Sequence, residues 1–182
     1  MSGWYDVVTT VDLEQGDILR DVSILKPVAV VGDTADELDG DVVTLDVVVL
    51  TQTCDLEHKK VDHILVAQVL AYDEMAVAEH KRGNQALSSS SFRDKLIEGL
   101  VPNLALLHEH TDAPPMPWSL ANFRVLNTVP ISTLRLNAEP RLRLVPPYKE
   151  YLAQSFARFM MRVGLPLTAH SFRGHTPPKP SG

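Results

Sequence analysis

Residues 42–51 read Val42-Val43-Thr44-Leu45-Asp46-Val47-Val48-Val49-Leu50-Thr51, and this stretch decides the fold class. β-Branched side chains dominate it, and they fit the pleated surface of a β-strand. Its last five residues are nearly all apolar, which is typical of a strand buried on both faces. A polar connector over residues 52–60 leads to a second apolar stretch at residues 62–70. Two such segments joined in this way predict an extended β-hairpin.

The segments around this hairpin predict a β-rich domain with a helical insertion. The further predicted strands cover residues 17–24, 28–31, 104–107 and 122–129. Acidic residues at 32–41 predict an exposed loop, and residues 130–134 predict a turn or a short helix. The helical insertion spans about 74–100, where Ser91 and Asp94 resemble a capping pair at the start of its second helix.

A C-terminal amphipathic helix is predicted over residues 147–163. Its apolar side chains recur every three or four residues and form one stripe: Tyr148, Tyr151, Leu152, Phe156, Phe159, Met160 and Val163. Gly164 and Pro166 are typical helix terminators. Residues 169–182 have little to bury and are predicted to be disordered. We therefore expect one α+β domain, mostly β, over residues 1–168.

The composition excludes several classes of protein. Hydrophobic residues make up 45% of the 182 residues, enough for a core, and the formal net charge of −6 does not draw the whole chain to nucleic acid or anionic lipid. Cys54 is the only cysteine, so an intramolecular disulfide is impossible. Neither a signal peptide nor a transmembrane stretch is apparent. We expect a cytoplasmic protein without a membrane partner.

Cys54 and Asp55 follow the buried strand and suggest two interpretations. An imidazole from His58 or His63 would activate the thiol as a nucleophile. Asp55 opposes thiolate formation unless its charge points away. The alternative is a half-buried structural cysteine, because free cysteines are often buried.

The sequence also contains residue types that metal sites and nucleic-acid interfaces use. The spacing of Cys54, His58 and His63, and of His108 with His110, matches no paired-ligand zinc motif, so we predict no metal and no cofactor. Positive charge accumulates late in the chain, at Arg135, Arg141, Arg143, Lys149, Arg158, Arg162 and Arg173. This charge predicts either a nucleic-acid face or an ordinary solvated face.

Three segments resemble the front half of the PemK/MazF (CcdB-like) toxin barrel: residues 15–19, 47–52 and 64–69. The resemblance implies a small SH3-like barrel. Residues 52–56, Gln-Thr-Cys-Asp-Leu, also resemble a segment of uncharacterised bacterial proteins. Ribonuclease members of the family carry an arginine before the buried strand, where this chain has residues 41–46 without a cation. They carry a threonine or serine after the next strand, where this chain has residues 71–73, Ala-Tyr-Asp.

These features lead to one expected function and three alternatives. We expect a non-catalytic or weakly catalytic PemK-like accessory module that binds a protein in a bacterial, toxin–antitoxin-like setting. One alternative is a divergent endoribonuclease that acts on RNA through Arg20 and Thr51. Another is a thiol-dependent hydrolase that uses Cys54 with Asp55. The last is a homo-oligomer that associates through the Phe156, Phe159 and Met160 face.

Overall fold

A computed structural model describes residues 3–27, 40–58, 60–136 and 140–161 of the chain. The strands in these ranges are β1 (Tyr5–Val8), β2 (Asp17–Pro27), β3 (Gly40–Val49), β4 (His63–Ala71), β5 (Leu104–Leu107), β6 (Ser119–Pro130) and β7 (Arg141–Leu144). The helices are α1 (Thr53–Glu57), α2 (Tyr72–Lys81), α3 (Ser90–Ile97), α4 (Ile131–Leu136) and α5 (Tyr148–Met160), with a 3₁₀ turn at Ala86–Ser88.

All the described strands form one antiparallel sheet in the order β1-β7-β2-β3-β4-β6-β5. The α+β, mostly β class is therefore confirmed. The sheet is open, because β1 and β5 occupy its two edges and do not pair with each other in the described ranges. The expected closure into a small SH3-like barrel is not confirmed.

The predicted hairpin forms from β3 and β4. Val48 lies opposite Ala67 on β4 and opposite Ile18 on β2, so β3 has a partner on both sides. Val47 and Val49 face one core and Val48 faces the other, as the apolar run predicted for a strand buried on both faces. The connector differs from expectation, because residues 53–57 fold into the short helix α1.

The predicted boundaries of several elements are shifted. Ser89, and not Ser91, caps α3, because its hydroxyl accepts a hydrogen bond from the backbone N–H of Phe92 at 3.2 Å. Gly40 and Asp41, expected in the acidic loop, already belong to β3. The rest of that loop and the strand predicted at residues 28–31 lie outside the described residues.

Helices cover both faces of the sheet. On one face α5 buries Leu152 completely and packs Phe156 and Phe159 against Phe123, with ring centroids 5.5 and 5.9 Å apart. Met160, which was predicted in the same apolar stripe, is exposed. The helix ends at Met160, with Met161 as its C-cap, and therefore before the predicted end at residue 163. Residues 163–166 and the predicted disordered tail lie outside the described residues. No helix in the described ranges is long and apolar enough to cross a membrane.

Leu13, Leu56 from α1 and Leu134 from α4 line the core on the opposite face of the sheet. A third, smaller cluster lies under α3, where Leu96 packs with Leu104 and Leu120. The helical insertion is therefore docked on the β5–β6 end of the sheet and has its own apolar contacts.

A buried ionic network joins the two ends of the described chain. Asp17 is fully buried, and Arg141 is only 2% exposed. The Nε atoms of Arg141 and Arg143 donate to the two carboxylate oxygens of Asp17 at 2.7 and 2.5 Å. The backbone N–H of Glu14 donates to the same carboxylate at 3.0 Å. Several donors thereby compensate the cost of burying the Asp17 charge.

The same network holds the β1–β2 connection and the start of α5. Arg143 donates to the backbone carbonyl of Asp12 at 2.7 Å and pairs with the carboxylate of Glu14. The Nζ atom of Lys149, in the first turn of α5, donates to the other Glu14 oxygen at 2.9 Å. Arg143 and Lys149 therefore form structural ion pairs. Their positive charge, like that of Arg141, belongs neither to a nucleic-acid face nor to an ordinary solvated face.

Replacing Asp17 with Asn tests the energetic weight of this network. The substitution leaves the buried guanidinium of Arg141 without its counter-charge, and such a loss typically costs about 3–5 kcal/mol. We expect the free energy of unfolding, measured by urea titration, to fall by about this amount. The matched control is Asp94→Asn on the exposed surface of α3, for which we expect a change within about 0.5 kcal/mol. Equal effects of the two substitutions would contradict this account.

The pH dependence of stability reports on the same network through Glu14. Burial by itself raises the pKa of Glu14, but the hydrogen bond from Lys149 and the charges of the neighbouring basic side chains outweigh burial and lower this pKa below its ordinary value. A lowered carboxyl pKa adds stability above the unfolded-state pKa of about 4.3, and this stability is lost as the pH falls through the folded-state pKa. We expect the stability gap between wild type and Glu14→Gln to narrow as the pH falls below about 4. Urea titrations at several pH values measure it, and a gap independent of pH would refute the assignment.

Candidate functional site

Arg20 and Thr51 lie at different places on the sheet. Arg20 and Asp21 form a β-bulge opposite Asp46, and Asp21 has a positive φ of 53°. The hydroxyl of Thr51, five residues beyond Asp46, accepts a hydrogen bond from the backbone N–H of Leu65 at 2.8 Å. Thr51 lies two residues beyond the end of β3 and does not line the cleft in which Arg20 lies. The structure does not bring these two side chains into one site.

The surroundings of Arg20 are mixed in charge. Its guanidinium donates to the backbone carbonyl of Pro115. It lines an open cleft of about 430 Å³, in which the carboxylates of Asp46 and Glu74 also lie. These two carboxylates repel a phosphodiester, which carries negative charge.

Cys54 is exposed in α1, so the expected half-buried structural cysteine is not observed. Its sulfur lies 3.7 Å from Oε1 of Gln52 and 3.9 Å from Oδ1 of Asp55. Asp55 also lies 3.5 Å from the Nζ atom of Lys60. Among the described residues, no imidazole forms a hydrogen bond with the thiol, so the nucleophile–base contact of a thiol hydrolase is not assembled.

The remaining histidine pair is occupied by protein contacts. The Nδ1 atom of His108 lies 2.8 Å from the backbone carbonyl of Glu109, and that of His110 lies 3.0 Å from the carbonyl of Pro114. In the part of the chain that the structure describes, no group of three or more His, Cys, Asp or Glu side chains is arranged to hold a metal ion.

Two apolar cavities meet at the β5 edge of the sheet, and we call them together the β5 groove. The smaller cavity, of about 300 Å³, is lined by Tyr72, Asp73, Arg93, Leu96, Ile97, Leu106 and Trp118. The larger cavity, of about 570 Å³, is lined by Trp4, Ile97, Leu106, Trp118, Pro147, Tyr148, Glu150, Tyr151 and Gln154. The two cavities share Ile97, Leu106 and Trp118.

The backbone of Leu106 points into the open at this edge. The N–H of Phe123 donates to the carbonyl of Asn103 at 3.0 Å, which makes these two residues a hydrogen-bonded pair of the β5–β6 ladder. Such pairs alternate along an antiparallel ladder, so Ala105 and Leu107 bond to β6 while Leu106 faces away. No described residue bonds to the Leu106 N–H or C=O. The neighbouring outward N–H, that of Leu104, is bonded to the carbonyl of Val101 at 3.2 Å.

Helices α3 and α5 form the walls of the β5 groove. At one end, the turn that leads from α3 to β5 approaches α5 closely at Gly99. A Cβ atom there would lie 3.2 Å from Nη2 of Arg158 and 3.5 Å from Cε2 of Tyr151, and Gly99 also has a positive φ of 67°. Glycine meets both requirements, because it lacks a Cβ and adopts positive φ freely.

A row of four rings lies beside the larger cavity, and three of them, those of Trp4, Tyr148 and Trp118, line it. Trp4 stacks on Tyr148 with centroids 4.0 Å apart and planes 11° apart. His108 lies 5.6 Å from Trp4 and 4.1 Å from Trp118, between centroids. Its backbone carbonyl accepts a hydrogen bond from the phenol of Tyr5 at 2.7 Å. Burial raises the pKa of this phenol far above its ordinary value, against the lowering effect of the same hydrogen bond, so Tyr5 remains a neutral donor.

The β5 groove exposes apolar surface to solvent. Ile97 is 68% exposed and Trp118 is 37% exposed, although both are large apolar side chains. Contiguous exposed apolar surface beside polar groups commonly marks an interaction site. The sequence held one signal for this place, because the only two tryptophans of the chain, Trp4 and Trp118, both line it.

Comparison with known proteins gives no functional assignment, so the assignment depends on the structure. No protein-family model matches the chain, and no curated protein matches it in sequence. The likeness to the PemK/MazF family therefore rests on the three segments at residues 15–19, 47–52 and 64–69. What the site can do is decided by the shape, the charges and the free backbone groups of the β5 groove.

Proposed function

We propose that this chain is a protein-binding module that captures an extended segment of its partner in the β5 groove. The single observation that carries the proposal is the free N–H and C=O of Leu106 on the floor of an apolar groove. A strand edge with unpaired backbone groups is a template for another strand. An extended peptide that pairs with β5 would satisfy both groups.

Strand addition also accounts for the two cavities that share Leu106 with Ile97 and Trp118. Successive side chains of an extended peptide point to opposite faces of the sheet. The face of β5 that carries Leu106 packs under α3, and the face that carries Ala105 and Leu107 packs under α5. Both cavities are lined by Leu106 and neither by Ala105 or Leu107, so the side chains on the Leu106 face of the bound segment would enter them, while the backbone bonds provide affinity independent of sequence.

We further propose that the chain is related to the PemK/MazF family in fold but lacks its ribonuclease chemistry. This relationship in fold is supported by the meander of β2, β3 and β4, which are sequential and neighbouring and include residues 17–19, 47–49 and 64–69 of the three resembling segments. The finer expectations of an SH3-like barrel and of an accessory role in a toxin–antitoxin-like setting belong to the same proposal.

The geometry favours binding over the catalytic alternatives. Arg20 and Thr51 stand apart along the sheet, and the cleft around Arg20 holds two carboxylates. The Cys54 thiol has no imidazole partner among the described residues. Homo-oligomerisation through Phe156 and Phe159 would require both rings to leave their contacts with Phe123.

Leu106→Pro and Leu106→Ala together separate the backbone contribution from the side-chain contribution. Proline removes the outward N–H while no ladder bond to β6 is lost, and edge strands tolerate it. Alanine removes most of the side chain and keeps the N–H. For peptides selected from a random library on the wild-type protein, we expect Leu106→Pro to bind about tenfold more weakly than Leu106→Ala, because a backbone hydrogen bond is lost and the ring obstructs pairing.

Fluorescence anisotropy with labelled peptides gives these affinities, and thermal unfolding shows that both variants are folded. Equal affinity of Leu106→Pro and Leu106→Ala for every selected peptide would rule out strand addition at β5. Retained binding by Leu106→Pro together with loss in Leu106→Ala would assign recognition to the side chains alone.

A further inference from the structure

The charged lining of the larger cavity differs from that of the smaller one. Glu150 is the one charged residue among the described residues that line the larger cavity. Asp73 and Arg93 both line the smaller cavity, so their charges offset each other. The larger cavity therefore presents a net negative charge within an aromatic surround.

The carboxylate of Glu150 has no ionic partner among the described residues. Its neighbour Lys149 is directed to Glu14, at 2.9 Å between Nζ and Oε2. A carboxylate left unpaired beside a cavity is free to pair with a charge that enters from outside.

Aromatic side chains share the lining of the larger cavity with Glu150. Two indoles and two phenols line the larger cavity, from Trp4, Trp118, Tyr148 and Tyr151. The faces of such rings carry negative electrostatic potential and attract a cation placed over them, with tryptophan the strongest of the three aromatic side chains. Trp4 and Tyr148 are nearly parallel at 4.0 Å between centroids, and His108 lies 5.6 Å from Trp4.

From these observations we infer that the larger cavity of the β5 groove is a subsite for a basic side chain, lysine or arginine, of the captured segment. The inference rests on the proposed function and names its partner as an extended segment in which a basic residue accompanies large apolar ones. The alkyl stem of the basic side chain packs on Ile97 and Leu106, and its charged end meets Glu150 and the rings. The formal net charge of −6 adds attraction at long range.

A probe without a peptide backbone tests the subsite separately from strand addition. Tetramethylammonium chloride carries the cation, tert-butanol supplies a neutral probe of similar bulk, and sodium chloride at equal concentration controls for ionic strength. Because both tryptophans line the larger cavity, their fluorescence in the full chain reports occupancy. We expect a saturable change with tetramethylammonium and none with the two controls.

Two variants locate the response. Glu150→Gln removes the charge without changing the bulk, and we expect it to weaken tetramethylammonium binding about fivefold. Glu98→Gln, at an exposed carboxylate that does not line the larger cavity, is the matched control and retains wild-type binding. An equal response to tert-butanol, no response in the wild type, or equal weakening in both variants would overturn the inference.

The remaining outcomes separate this inference from the proposed function. A tetramethylammonium response in the wild type that Glu150→Gln weakens and Glu98→Gln does not, together with peptide binding that is lost in Leu106→Pro, supports both. Suppose that Leu106→Pro weakens the binding of selected peptides, but that these peptides bind equally well with norleucine in place of lysine or arginine. Strand addition then stands and the basic subsite is refuted. If the tetramethylammonium concentration at half-saturation rises in proportion to protein concentration, a second copy of the chain occupies the cavity. This result would also refute the subsite.

Discussion

The buried carboxylate of Asp17 is the constraint on which the rest of the structure depends. It lies at the first position of β2. Guanidinium groups of β7 donate to it across sequence separations of 124 and 126 residues. A buried charge of this kind is tolerated only with its partners in place, so it specifies the pairing of β2 with β7. That pairing brings β7, the last strand along the described chain, next to β2 near its start.

The network also determines the shape of the β5 groove. Lys149 anchors the first turn of α5 to Glu14, and the backbone N–H of Val145 donates to the carbonyl of Trp4 at 2.9 Å. These two contacts hold Tyr148 against Trp4 and so form one wall of the larger cavity. The opposite wall depends on Gly99, where the absence of a side chain lets the turn before β5 contact α5. Binding and stability are therefore linked through α5.

Local sequence pattern predicted many of the elements, but it missed β1, β7 and α1, and it did not predict how the elements are arranged. The apolar run at residues 42–51 predicted a doubly buried strand because periodicity and β-branching are local properties. The pairing of Asp17 with Arg141 and Arg143 is not local, so the sequence pattern predicted only surface charge for the two arginines. The groove was missed for the same reason, since Trp4 and Trp118 come from remote segments. Cys54 drew attention as a single cysteine, yet the fold leaves it exposed without an imidazole partner.

Amide hydrogen exchange at Leu106 tests the central claim most directly. In the free protein the N–H of Leu106 has no hydrogen-bond acceptor among the described residues, so we expect it to exchange rapidly. On addition of a selected peptide, strand pairing predicts that this amide becomes protected while the amides of Ala105 and Leu107, already bonded to β6, change little. Protection that appears elsewhere, for example at the β1 edge, with Leu106 still exchanging rapidly in the saturated complex, would contradict the account.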